Sequence, residues 1–121
     1  MSSRAFVCVL LIDLHFPEAS DLKGKRKQLR SIKERLRGRY GASVSEVDHH
    51  DRWQRATLAA AFTGRTAGEL AAFCDEVERW LLAHVADGGV RVERTLVSLD
   101  DLVGLGDPGP RSLEWVARGA R

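Results

Sequence analysis

The chain of 121 residues predicts an α+β sandwich. Three observations lead there: runs with the period-2 pattern of strands, two stretches with apolar residues at helical spacing, and their order β-α-β-β-α-β. That order is the split-βαβ, or ferredoxin-like, arrangement. Right-handed crossovers then place the first and third strands at the centre of an antiparallel sheet of order 4-1-3-2, with both helices on one face.

Ala5 to Phe16 opens the fold as a strand closed by Pro17. Its even positions from Phe6 to Phe16 are all apolar, whereas the odd ones begin with Val7, Val9 and Leu11 and turn polar at Asp13 and His15. One face is therefore fully buried and the other partly, the signature of a central strand. Ser20 offers a cap for a helix starting at Asp21, in which Leu22, Leu29, Ile32, Leu36 and Tyr40 form an amphipathic stripe. Gly38 and Gly41 offer ways to end it. Ala42 to Asp48 and Ala56 to Phe62 read as strands of a hairpin. Thr66-x-x-Glu69 is a capping box for a second helix, whose buried stripe runs through Leu70, Phe73, Cys74, Val77, Leu81 and His84. Gly88 and Gly89 lead into a last strand, Val90 to Val97. A single domain over residues 1–102 is expected, with 103–121 as a flexible C-terminal tail in which Leu113, Trp115 and Val116 could dock as one turn.

Composition narrows the setting. Hydrophobic content of 44% and charged content of 30% are those of a soluble globular protein. The longest apolar run, Ala5 to Ile12, is too short to span a bilayer, and no secretion signal is read at the start. Cys8 and Cys74, far apart and in apolar surroundings, read as small core residues in a reducing cytoplasm.

Charge is unevenly placed. Residues 21–39 hold nine Lys or Arg against Asp21 and Glu34, so with a net charge of +2 the remainder of the chain carries −5. At about 100° per residue, Lys23, Arg26, Lys27, Arg30, Lys33 and Arg37 share one flank of the first helix, and Arg35 and Arg39 fall on the other side. A solvated face ordinarily mixes both signs, and here only Glu34 does so. Like charges at helical spacing repel, which points to an anionic partner able to offer about four to six phosphates.

The hairpin connection EVDHHDRWQR, residues 46–55, concentrates polar groups. Asp48 and Asp51 suit turns and caps, and Arg52, Trp53 and Arg55 suit stacking and phosphate contacts. As a metal centre it is weaker. Asp13, His15, Asp48 and His49 supply donors for a metal-dependent nuclease or phosphoesterase, yet the adjacent His49 and His50 rings point to opposite faces of an extended chain. No HExxH, paired-Cys motif, GxSxG elbow, P-loop or GxGxxG is present, so no catalytic residue, metal, cofactor or small-molecule substrate is assigned.

Leu14-His15-Phe16-Pro17, the Asp21-Leu22-Lys23-Gly24-Lys25-Arg26 helix start and the hairpin from Ser45 to Ala56 together resemble the YlxP-like family, small bacterial proteins carrying a domain of unknown function. The similarity spans roughly residues 4–98, with Asp21 in place of the usual serine. The resemblance implies a ferredoxin-like fold. It also implies association with RNA or the ribosome, because the family's genes sit among those for translation factors and ribosome maturation.

The expectation is a non-catalytic, cytoplasmic RNA-binding protein of the ribosomal subunit or its maturation. Its binding residues are Lys23, Lys25, Arg26, Lys27, Arg30, Lys33, Arg37, Arg52, Trp53 and Arg55. The alternatives are the nuclease above and a dimeric protein-interaction module. Val7, Val9 and Leu11 also leave part of the second sheet face apolar, and the expectation is that either a second copy of the chain, making a homodimer, or the Trp115 segment covers it.

Overall fold

The computed structural model describes residues 4–17, 19–85 and 89–104. Their elements are β1 (Phe6–His15), α1 (Leu22–Gly38), β2 (Ser43–Asp48), β3 (Arg55–Gly64), α2 (Ala67–His84), β4 (Gly89–Ser98) and α3 (Leu99–Gly104). The four strands form one antiparallel sheet of order β2-β3-β1-β4, the expected order read from the other edge.

Strand β1 is central because both its neighbours find ten partners along it, from Phe6 opposite Gly64 and Ser98 to His15 opposite Arg55 and Gly89. Its even residues Cys8, Leu10, Ile12 and Leu14 are buried with Ala56, Leu58, Ala60 and Phe62 of β3. Leu29, Ile32 and Leu36 of α1 and Leu70, Cys74, Val77 and Leu81 of α2 close over them as one core. Phe6 is only half-buried at the strand's start.

The ends of the helices follow local chemistry. Thr66 caps α2 as expected, its hydroxyl accepting from the Glu69 N–H at 3.1 Å. For α1 the expected Ser20 cap is corrected to Asp21, whose Oδ1 accepts from the Gly24 N–H at 2.7 Å. A Cβ on residue 24 would stand 3.2 Å from that oxygen, so the glycine leaves the cap room. At the far end Gly41 adopts φ 69°, and the N–H groups of Gly41 and Ala42 return to the carbonyls of Arg37 and Leu36.

Three expectations change. His84 is exposed, because at the last turn of α2 its ring lies on the helix surface against Trp80 instead of facing the core. Leu22 is 42% exposed and Lys25 takes its place in the buried stripe. Helix α3, capped by the Ser98 hydroxyl accepting from the Asp101 N–H, runs across the boundary expected at Leu102. The expected tail beyond Gly104, with Leu113, Trp115 and Val116, lies outside the described residues.

The sheet face away from the helices carries Val7, Val9 and Leu11 beside Ala59 and Ala61, by register. Val9 is 37% exposed. Beyond Leu11 the face turns polar, with the Thr57 hydroxyl donating to Asp13 Oδ1 at 2.7 Å.

Candidate functional site

The N-terminal half of α1 and the connection between β2 and β3 form one unit, and a buried lysine joins them. Residues 25, 29, 32 and 36 recur at helical steps of four, three and four, so the stem of Lys25 enters the core beside Leu29. The side chain is wholly buried. Its Nζ donates to the carbonyl oxygens of His49 at 2.6 Å and His50 at 3.4 Å, and stands 3.5 Å from Glu46 Oε2. Arg26 adds a bond to Glu46 Oε1 at 2.6 Å and one to the His50 carbonyl at 3.1 Å. Burial alone would raise the Glu46 carboxyl, but the Arg26 bond and the charges of Arg26, Lys25 and His50 together hold it below the ordinary carboxylate range.

The connection is therefore held by its backbone. His49 takes φ 62°, a left-handed conformation that turns its carbonyl into the clamp. The Asp48 carboxylate accepts from the His49 N–H at 2.7 Å, and the His50 Nε2 lies 3.1 Å from the Glu46 carbonyl. At the other end Phe16 N–H donates to the Gln54 carbonyl at 2.8 Å, fixing the connection to the loop that leaves β1.

Lys25 thus leaves the set of expected phosphate ligands: its ammonium is fully buried against two carbonyls and the Glu46 carboxylate and does not reach solvent. Lys23, Lys27 and Arg30 are exposed and Lys33 half-buried, and among the described residues none has a carboxylate partner. Arg26 is shared with Glu46, and exposed Arg37 donates to the Val44 carbonyl at 2.9 Å. Arg52 and Trp53 are exposed in the connection, Trp53 at 49%. Arg55 is separated from the others. It opens β3 in the register of Thr57 and Ala59, on the sheet face opposite the helices, where it lines a small cavity with Asp13, His15 and Arg91.

The proposed metal donors are not gathered. Asp13 and Asp48 both stand opposite Thr57 from the two strands flanking β3, so their Cα atoms are about 10 Å apart. Among the described residues no group of three or more His, Cys, Asp or Glu is placed to hold a metal ion. Cys8 and Cys74 are both buried, and burial, then the neighbouring Cys8 thiol, pushes the Cys74 thiol up to about 12. Such a thiol stays protonated and is a poor nucleophile. Among the described residues no helix is long and apolar enough to cross a membrane.

One feature of the site escaped sequence reading. A cavity of about 650 Å³ opens between the start of α1, the end of β1 and the end of α2, with Lys27, Gln28 and Ser31 on its α1 wall and His84 on its α2 wall. The spacing of residues 24, 27, 28 and 31 marks a common helix flank, but which neighbour that flank meets depends on the tertiary packing.

Fold and site define a split-βαβ domain whose basic first helix is locked to the β2–β3 hairpin. The chain belongs to the DUF503 family, described as "Protein of unknown function", whose pattern it matches over residues 7–94. It is 33% identical over 81 residues to the uncharacterized protein YlxP of Bacillus subtilis (strain 168), an alignment covering 65% of this chain and 80% of that one. Two designed proteins resemble its fold loosely. Foldit4 has a TM-score of 0.45 at 13% identity, covering 75% of this chain and 96% of that one. Ferredog-Diesel has a TM-score of 0.40 at 21% identity, covering 72% and 83%.

Proposed function

We propose that the protein binds RNA phosphates through α1 as a non-catalytic, cytoplasmic factor of a ribosomal subunit or its precursor. The observation that carries this reading is the set Lys23, Lys27, Arg30 and Lys33, which has no carboxylate partner among the described residues on a helix whose neighbouring cations are engaged. Lys23, Lys27 and Arg30 climb the helix by about 6 Å and then about 4.5 Å, a ridge able to follow a sugar-phosphate backbone. The −5 of the remaining sequence disfavours other orientations on an anionic partner. The hairpin clamp supports the reading by holding Arg52 and Trp53 close to the helix start.

Co-sedimentation with ribosomal subunits across a salt series tests it. Wild type should sediment at low salt, with a log–log slope of about four in magnitude, one for each free cation. Lys23→Glu, Lys27→Glu and Arg30→Glu combined should abolish sedimentation in a chain that still folds. Equal sedimentation of the folded triple variant, or none by wild type at low salt, overturns the assignment.

The open sheet face favours a homodimer as a second reading. Three strands of ten residues and one of six offer on the order of 600 Å² per copy, which doubles to the lower end of stable interfaces. Light scattering should find a dimer, and Val9→Glu should return it to a monomer. A wild-type monomer removes this reading and leaves the RNA assignment untouched.

A further inference from the structure

We infer that the cavity between α1 and α2 receives one unpaired nucleobase of the RNA whose phosphates lie on the basic ridge. This deepens the RNA reading above and rests on it. The cavity, at about 650 Å³, is within the range that holds a small-molecule-sized group. Its floor is apolar and buried, made by Phe16, Ile32 and Val85. The Gln28 amide and the Ser31 hydroxyl on the α1 wall offer both donors and acceptors, as the edge of a base requires.

The ring that would stack is already fixed. His84 lies parallel to Trp80 with centroids 5.1 Å apart and an interplanar angle of 24°. Its Nδ1–H donates to the Trp80 carbonyl at 3.0 Å, the tautomer that leaves Nε2 as an acceptor when the ring is neutral. Trp80 is in turn covered by the Arg35 guanidinium, 5.7 Å from the ring centroid. A base seated against His84 would extend a stack whose ordering is complete before it arrives, so little entropy is lost on binding.

Lys27 connects the two parts of the site. It lines this cavity and also the adjoining groove of about 520 Å³ that holds Lys23, Arg26 and Arg30. A phosphate resting on Lys27 therefore has the ridge on one side and the cavity on the other. The attached base has an apolar floor within reach, while neighbouring nucleotides continue along the cations. This chemistry selects single strands, since a paired base cannot leave its stack without added cost.

Fluorescence anisotropy with two labelled strands of equal length tests the inference. One is a single-stranded oligouridine, and the other is an abasic strand with the same phosphates. Wild type should prefer the base-bearing strand by about tenfold, the worth of one stacked base. Ser31→Leu, which fills the cavity from an exposed helix position, and His84→Ala, which removes the stacking ring, should each erase that preference. Both should still bind the abasic strand as wild type does. Combined Lys23→Glu and Arg30→Glu should weaken binding to both strands.

A wild type without preference, or a Ser31→Leu chain that folds by circular dichroism and keeps it, overturns the base site while the RNA reading stands. Displacement of the oligouridine by inorganic phosphate as effectively as by uridine monophosphate identifies a plain anion site and also overturns it. No binding of either strand at low salt overturns both readings.

Discussion

Lys25 and Lys27 stand two residues apart on one helix, with the same side chain and opposite roles. Lys25 is wholly buried, donates to two backbone carbonyls and pairs by charge with Glu46, whereas Lys27 is exposed and has no carboxylate partner among the described residues. Their helical phase decides the difference, since residue 25 points into the core stripe and residue 27 lies more than a third of a turn away. Cation count alone therefore overstates a binding surface: a lysine in phase with Leu29 and Leu36 is structural, and its neighbour is available to a partner.

The comparison breaks most visibly at Lys25. Lys25→Met keeps the stem and removes the ammonium, leaving two carbonyls without their donor and the buried Glu46 Oε2 without its nearby charge. A loss of about 2–4 kcal/mol in urea unfolding is expected. A melt matching wild type would show that Lys25 is not the clamp. Because part of the cost is the lost ion pair with Glu46, whose other oxygen stays bonded to Arg26, Glu46→Gln should cost less in the Lys25→Met background than in wild type, a coupling that a double-mutant cycle reads directly.

Glu46→Gln alone should cost about 1–2 kcal/mol through the Arg26 bond. Its clearer mark is in acid. The folded carboxyl sits below its unfolded value of 4.5, so its stabilisation is whole above about that pH and is lost as pH falls through the lower folded value. The variant should show a flatter acid limb below pH 4.5 than wild type. Parallel limbs in the two proteins would mean that the carboxylate gains nothing from the clamp.

Lys27→Gln should have the smallest effect on the fold, within about 0.5 kcal/mol of wild type, as for an exposed side chain. It should instead lower the magnitude of the salt slope of RNA binding by about one. A destabilised Lys27→Gln chain with an unchanged slope would reverse the roles given to the two lysines.

Sequence pattern alone made much of the architecture legible, for physical reasons that the structure makes plain. The alternation in β1, the Thr66 cap and the Leu70 to Leu81 stripe are local signals of burial, and each stands where it was expected. Lys25 was hidden because a stripe counted only over apolar residues steps from Leu22 to Leu29 and passes over the lysine between them. Arg55 lies close to Arg52 and Trp53 in sequence, but strand alternation sends it to the opposite sheet face once β3 begins. The cavity could not be foreseen, since its walls come from three elements whose approach is fixed only by the packed core.

The central place of β1 has a consequence for how the chain reaches its fold. Its two edges are satisfied by segments far along the chain, β3 on one side and β4 on the other, and Phe6 meets Ser98 near the opposite end of the described residues. Such distant pairings make loop closure costly early in folding and slow the search compared with a helical bundle of equal size. Until β4 arrives, the strand with the most apolar face of the sheet presents a bare row of amide and carbonyl groups along a ten-residue edge. A chain shortened before Gly89 should therefore aggregate instead of forming a three-stranded version of the domain, with β1 as the segment that seeds the association.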